Sequence, residues 1–322
     1  MVFVYLGQLG AQYPLSFHLI IMLISLLILV KSADLLIFGA INYSKKFGLS
    51  DYVIGFLIVG IVTSLPEFIS AIFGNSIGEG GIVFGTFFGS CVLTITLMLG
   101  IELFAAKKFS VNSKLLGETK YYIPILVMLP LVLVWDGRLS RWDGFLMIST
   151  FIAYIVMIWK KEGTLGKIKK DVKIKRLWKD MFIFLGALAA LLLSAQWLVF
   201  SAVGLSHILV VPPYVIAVIV IAWGTSIGDL TVDLKAIFAG HADVALGDIF
   251  SAFVVENVLF LGLVALIKPI VINPIILVPA ATFFIVPLSG IIFFVKKELT
   301  WRHGLFLIGL YIAFIILQIF II

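Results

Sequence analysis

The sequence is poor in charge. Only 12% of its 322 residues are Asp, Glu, Lys or Arg, whereas 62% are hydrophobic. A soluble domain carries about 25% charged residues, so this chain cannot coat a water-facing globule of its size. Cysteine is nearly absent. The single Cys91 excludes an intramolecular disulfide, and no Cys/His zinc spacing occurs. Its apolar surroundings point to a packing thiol. No Lys or Arg precedes Lys31. The basic start of a cleavable signal peptide is therefore missing, and the first apolar segment is expected to stay as a helix. No basic stripe with interleaved aromatics occurs, so no nucleic-acid partner is expected.

What the chain has instead is apolar sequence along its whole length, with a mean hydropathy of +1.23. A helix needs about 20 apolar residues to cross a bilayer. Ten segments qualify as candidates: 16–41, 53–73, 81–103, 121–135, 145–159, 181–205, 211–239, 244–267, 269–295 and 304–322. The fourth and fifth are short. The polar turn Asp136–Gly144 between them reads as the link between two spanning helices. The expectation is an all-α integral membrane protein of ten transmembrane helices, with the lipid bilayer as its principal partner.

Ten spans sort the loops onto two sides. One side collects 18 Lys and Arg, from Lys45 to Arg302, and the other only Arg138, Arg141 and Lys268. The positive-inside rule then puts the basic loops in the cytoplasm and both termini outside. The longest loop, Lys160–Asp180, is basic and polar. Residues 1–160 form a first five-helix half, 161–180 a basic linker, and 181–322 a second half.

The two halves repeat each other. With a shift of 162 positions, Ser32-Ala33 falls on Ser194-Ala195 and Tyr52-Val53-Ile54 on Tyr214-Val215-Ile216. Thr63-Ser64 falls on Thr225-Ser226, and Gly78, Gly85, Phe88 and Gly100 fall on Gly240, Gly247, Phe250 and Gly262, with no gap. Matches at Gly, Ser, Thr and Tyr in one register go beyond shared greasiness. An odd number of helices per half makes the second half cross in the opposite sense. Inverted repeats of this kind place a substrate site near the midplane, where interrupted core helices meet.

The polar residues of the repeat supply that site. The second helix reads Thr63-Ser64-Leu65-Pro66-Glu67, and its counterpart Thr225-Ser226-Ile227-Gly228-Asp229. Pro66 removes a backbone donor and frees a carbonyl one turn earlier. Gly228 is a weaker breaker. Carbonyls, hydroxyls and carboxylates are hard oxygen ligands suited to sodium or calcium. A carboxylate at mid-membrane costs about 2.5–3.5 kcal/mol on insertion scales, so Glu67 and Asp229 in matching register call for a function. The third helices add Ser90 and Thr94, four apart on one face, and Glu256 in the register of Thr94. Asp233, one turn after Asp229, is read either as an acid supporting the site or holding a proton, or as the partner of a lysine. Asp248, near a helix start, is a candidate gate acid. Lys31 and Asp34 are expected to pair. Gly55, Gly60, Gly74, Gly85 and Gly89 are expected to let helices pack closely.

On these residues the chain resembles the cation/calcium exchanger superfamily, and most closely its prokaryotic sodium/calcium exchanger-like members. The Thr63–Glu67 run matches that family's first signature. Ser32-Ala33-Asp34-Leu35-Leu36 and Tyr52-Val53-Ile54-Gly55 match its flanks. The resemblance implies a transporter, not an enzyme, in a prokaryotic cell membrane. It needs no cofactor and exchanges calcium for sodium by alternating access. It also implies a site of Thr63, Ser64, Glu67, Ser90, Thr94, Thr225, Ser226, Asp229 and Glu256, with Glu67 and Asp229 bridging calcium. The chain departs from the family pattern at Gly228-Asp229, Thr94, Ala252 and Glu256; three core carboxylates remain, but Thr94 and Ala252 lack side-chain oxygen ligands expected at a sodium position. A proton-coupled antiporter on the same fold is the alternative. A channel lacks support, since no Thr-Val-Gly-Tyr-Gly filter occurs. An intramembrane aspartyl protease lacks its Gly-x-Gly-Asp and Tyr-Asp motifs.

Overall fold

A computed structural model describes residues 13–46, 60–106, 108–109, 122–162, 177–238, 248–249, 251–272, 282, 285 and 299–320. These are almost wholly helical. Helix α1 spans Pro14–Lys46. The short α2 (Gly60–Thr63) breaks at Ser64 and is followed by α3 (Leu65–Ser76). Next come α4 (Gly80–Leu93), a π-helical segment Thr94–Met98, and α5 (Leu99–Ala106) without interruption. The first half closes with α6 (Tyr122–Leu133) and α7 (Arg141–Glu162). The second half begins with α8 (Leu177–Leu209), then α9 (Pro213–Ile216), a π segment Ala217–Ile221, and α10 (Ala222–Phe238). A helix from Ser251 to Ile267 carries the π segment Val255–Phe260 and ends as α11 (Leu261–Ile267). Helix α12 is Trp301–Phe320. Among the described residues, five helices are long and apolar enough to cross a membrane.

Several expectations are met, and others are corrected. The break before Glu67 occurs where Pro66 places it, because proline cannot donate to the preceding turn. The break expected at Gly228 does not occur. Helix α10 runs unbroken through it, because a glycine inside a helix costs only about 1 kcal/mol relative to alanine. The basic linker is shorter than its composition suggests. Helices α7 and α8 reach into it as far as Glu162 and Leu177, and 163–176 lies outside the described residues. The ninth candidate segment, 269–295, is also largely outside them. Its first residues form a strand, Ile270–Val271, instead of a helix.

The continuous run Gly80–Ala106 is the axis of the fold. In its most apolar stretch 94% of residues are buried. Phe84, Phe87, Phe88, Val92, Leu99 and Leu103 lie in one apolar cluster around it. A second cluster joins α1 and α8 through Leu29, Leu36, Leu191, Ala195 and Leu198. The outer faces of these two helices expose Leu23, Leu27, Phe182 and Leu193, as expected of helices in contact with lipid.

Glycines let backbones touch at the axis. A Cβ on Gly85 would lie 2.6 Å from the Ala217 Cβ and 2.7 Å from the Tyr214 carbonyl oxygen. One on Gly89 would lie 2.9 Å from the Val218 Cα. Gly60 and Gly74 likewise make room for the side chains of Ser251 and Ile82. The predicted packing role of these four glycines is met, while Gly55 lies outside the described residues.

The contacts are exchanged between halves. Helix α5 packs on α12 through Gly100 and Gly304, and α11 packs on α7 through Gly262 and Gly144. The short strand β1 (Lys108–Phe109) pairs antiparallel with β4 (Leu299–Thr300), and β2 (Arg138–Leu139) with β3 (Ile270–Val271). Strand β1 follows the Ala106 end of the axis, whereas the Val271 carbonyl abuts Gly80 at the other end. The two pairings therefore cap opposite ends of the axis.

Candidate functional site

The candidate residues gather where α3, α4, α10 and the helix beginning at Ser251 meet. Glu67 sits in the first turn of α3, where the partial positive charge of a helix N-terminus favours a carboxylate. It is fully buried, and neither oxygen has a hydrogen-bond donor. The Thr225 side chain of α10 lies against it. The hydroxyls of Thr63 and Thr225 serve their own helices. Thr63 donates to the Gly60 carbonyl at 3.1 Å and Thr225 to the Ile221 carbonyl at 3.0 Å.

Two bonds made by serine hydroxyls tie the halves together at this level. The Ser64 hydroxyl donates to Glu256 Oε1 at 3.1 Å. The Ser90 and Ser226 hydroxyls lie 2.9 Å apart. All four residues are buried. The charges of Glu67, Glu256 and Asp248 bear on Asp229, so the carboxylates of both halves share one electrostatic environment. Asp229 is half-buried on α10. Among the described residues no three His, Cys, Asp or Glu side chains close on a single point. The oxygen set includes hydroxyls as well as carboxylates.

Thr94 and Glu256 occupy matching positions in two π-helical segments of matching register. A π turn is rare and tends to occur at functional sites. Thr94 turns its hydroxyl toward Met98 Sδ at 3.6 Å, while Glu256 points at Ser64. Asp233 is buried further along α10, and Asp248 is half-buried beside Ile249. The expected Lys31–Asp34 pair forms at 3.6 Å on the exposed side of α1.

Two polar residues contact the candidate residues without having been expected there. Cys91, read as a packing thiol, donates to Glu256 Oε2 at 3.8 Å. Asn257 donates through Nδ2 to Cys91 Sγ at 2.7 Å and to the Phe253 carbonyl at 3.1 Å. A buried amide beside Glu256 in an apolar run was the available signal.

The sequence profile described as "Sodium/calcium exchanger protein" matches residues 17–160 and 179–320. This chain belongs to the sodium/calcium exchanger protein family. Among relatives of this family, the inner membrane protein YrbG of Escherichia coli K12 is 29% identical, covering 88% of this chain and 89% of the relative. The sodium/calcium exchanger MaX1 of Methanosarcina acetivorans is 25% identical, covering 95% of this chain and all of the relative. Solved structures share the fold. The sodium-calcium exchanger NCX_Mj superposes with a TM-score of 0.65 at 22% identity, over 93% of this chain and 98% of the other. The H+/Ca2+ exchanger CAX superposes with a TM-score of 0.74 at 15% identity, over 99% of this chain and 92% of the other.

Proposed function

We propose that this exchanger-family protein moves calcium against sodium by alternating access, through a site built from Thr63, Ser64, Glu67, Ser90, Thr94, Thr225, Ser226, Asp229 and Glu256. The observation that carries the reading is the pair of cross-half bonds, Ser64 to Glu256 and Ser90 to Ser226. Oxygen ligands from both halves meet in the core, so relative motion of the halves can expose them to either side. The match to a family of exchangers supports it. The chemistry asked of the protein is ion coordination, and no bond is made or broken in the cargo.

The finer architecture is part of this proposal. Ten spans in two inverted five-helix halves are supported by the exchanged contacts. Gly100 meets Gly304 as Gly262 meets Gly144, and strand pairs of matching register cap opposite ends. Both termini outside and a cytoplasmic 161–180 linker follow from the basic bias of the loops. A prokaryotic cell membrane is its proposed location.

The test is calcium uptake into proteoliposomes under an imposed sodium gradient. Glu67→Gln and Asp229→Asn remove a charge at nearly constant size, so each should abolish uptake in a protein that still folds. Wild-type uptake and affinity in either variant would place the site elsewhere. A proton-coupled reading is favoured by one observation. Thr94 turns to Met98, and Ala252 offers no oxygen, which leaves sodium short of ligands. Uptake driven by a pH gradient without sodium would select it.

A further inference from the structure

Glu102 lies outside the cation ligands. It belongs to α5, eight residues beyond Thr94, or about 12 Å along the helix at 1.5 Å per residue. It is fully buried between Leu99 and Leu103, which belong to the same apolar cluster as Ile237 and Leu307. Helix α5 packs beside α10. There the Glu102 carboxyl lies close to that of Asp233, itself only 2% exposed.

Two ionised carboxylates so close repel each other and can share no hydrogen bond, because each has only acceptors. Taken as a carboxylate, Glu102 has no donor to either oxygen. Burying an unpaired charge in such a place is prohibitive, and no described cation offers relief. Facing groups on α10 are Asp229 and Asp233. Asp248 adds a further acid within electrostatic range. On α12, His303 accepts from the Thr300 amide, Tyr311 accepts from Trp223, and Arg302 is exposed. On α1, Lys31 is exposed and paired with Asp34. A single added proton supplies the missing donor and removes one charge.

We propose that Glu102 and Asp233 form a membrane-buried proton site, separate from the cation ligands and electrostatically linked to them through Asp229. One O–H bond forms when the proton binds and breaks when it leaves, and water at the protein surface is its source and sink. Glu102 lies four residues before the end of α5, next in sequence to Lys107 and Lys108. The pair therefore stands between Asp229 and the basic face of the protein. A cation arriving at Asp229 raises the positive potential at the pair and favours release of its proton. This last step rests on the exchanger reading, whereas the proton site itself does not.

Infrared difference spectroscopy of the purified protein in lipid nanodiscs tests the site directly. The carbonyl stretch of a protonated carboxyl, identified by its shift in deuterium oxide, is followed as pH is varied. Glu102→Gln should remove one such band, and Asp233→Asn, which reaches the pair from the other helix, should remove the same band. Glu67→Gln should leave it in place. Absence of the band in the wild type across neutral pH would overturn the proposal. So would its survival in folded Glu102→Gln or Asp233→Asn protein. Wild-type protein that shows the band but moves no calcium would sink the exchanger reading and keep the proton site. Where transport is present, Glu102→Gln should still bind calcium, with uptake that has lost its dependence on pH. An unaltered pH profile would refute the link to Asp229.

Discussion

Replacing Gly85 by alanine tests whether backbone contact along the axis holds the site together. The added Cβ would meet the Ala217 Cβ at 2.6 Å and the Tyr214 carbonyl oxygen at 2.7 Å. Comfortable carbon contacts lie at about 3.5–4.0 Å, so α4 and α9 must separate by roughly 1 Å. Overpacking of this kind costs about 1–3 kcal/mol. Gly186 is the control, because a Cβ there meets nothing within 4 Å. Gly186→Ala should instead gain up to about 1 kcal/mol of helix propensity. The separation also reaches the site. Ser90 lies on the same helix five residues beyond Gly85, and its hydroxyl is 2.9 Å from that of Ser226. Opening by about 1 Å takes this pair past hydrogen-bonding distance, losing a further 0.5–1.5 kcal/mol or so. Thermal unfolding in detergent and calcium binding should therefore both weaken in Gly85→Ala, and neither in Gly186→Ala. Equal unfolding temperatures for the two variants would refute the reasoning.

Three further outcomes are expected. A cysteine placed at Lys170 should react with an impermeant reagent from the cytoplasmic side only, and labelling from outside alone would reverse the topology. Thr94→Asn combined with Ala252→Ser should strengthen sodium-driven calcium uptake, and no change would mean that sodium is not ligated at these positions. Lys268→Met should lower the unfolding temperature modestly, because its ammonium caps the Asn75 and Ser76 carbonyls at 2.8 and 3.2 Å. The loss should be about 1 kcal/mol for a partly exposed charged bond, and an unchanged temperature would show the cap to be idle.

The helix that carries the first signature was readable in detail. Proline names its own break, and Ser64 stands at it. The close-packing glycines were readable too, because small residues in apolar helices have few other uses. Gly228 misled, since glycine only weakens a helix and α10 runs through it unbroken. The π turns left no trace in composition, as they depend on how one helix seats against its neighbours. Cys91 is the packing thiol that was expected, but its polar contacts stayed hidden for a related reason. Its apolar neighbours in sequence hid Glu256 and Asn257, which approach from 165 and 166 residues away. Glu102 stood unnoticed because its meaning depends on Asp233, on a helix of the other half.

The π segment Thr94–Met98 has a consequence for the phase of the axis. Each residue of an α-helix turns the chain by about 100°, and a π turn accommodates one residue more than an α turn. The extra residue acts as a rotary offset between the two ends of the Gly80–Ala106 run. It allows Gly85 and Ser90 to be aimed at α9 and α10 while Gly100 is aimed independently at α12 and Glu102 at α10. Deleting Thr96 alone would leave every apolar residue and every proposed ligand in the sequence. It would swing α5 by about 100°, breaking the Gly100–Gly304 seam and parting Glu102 from Asp233.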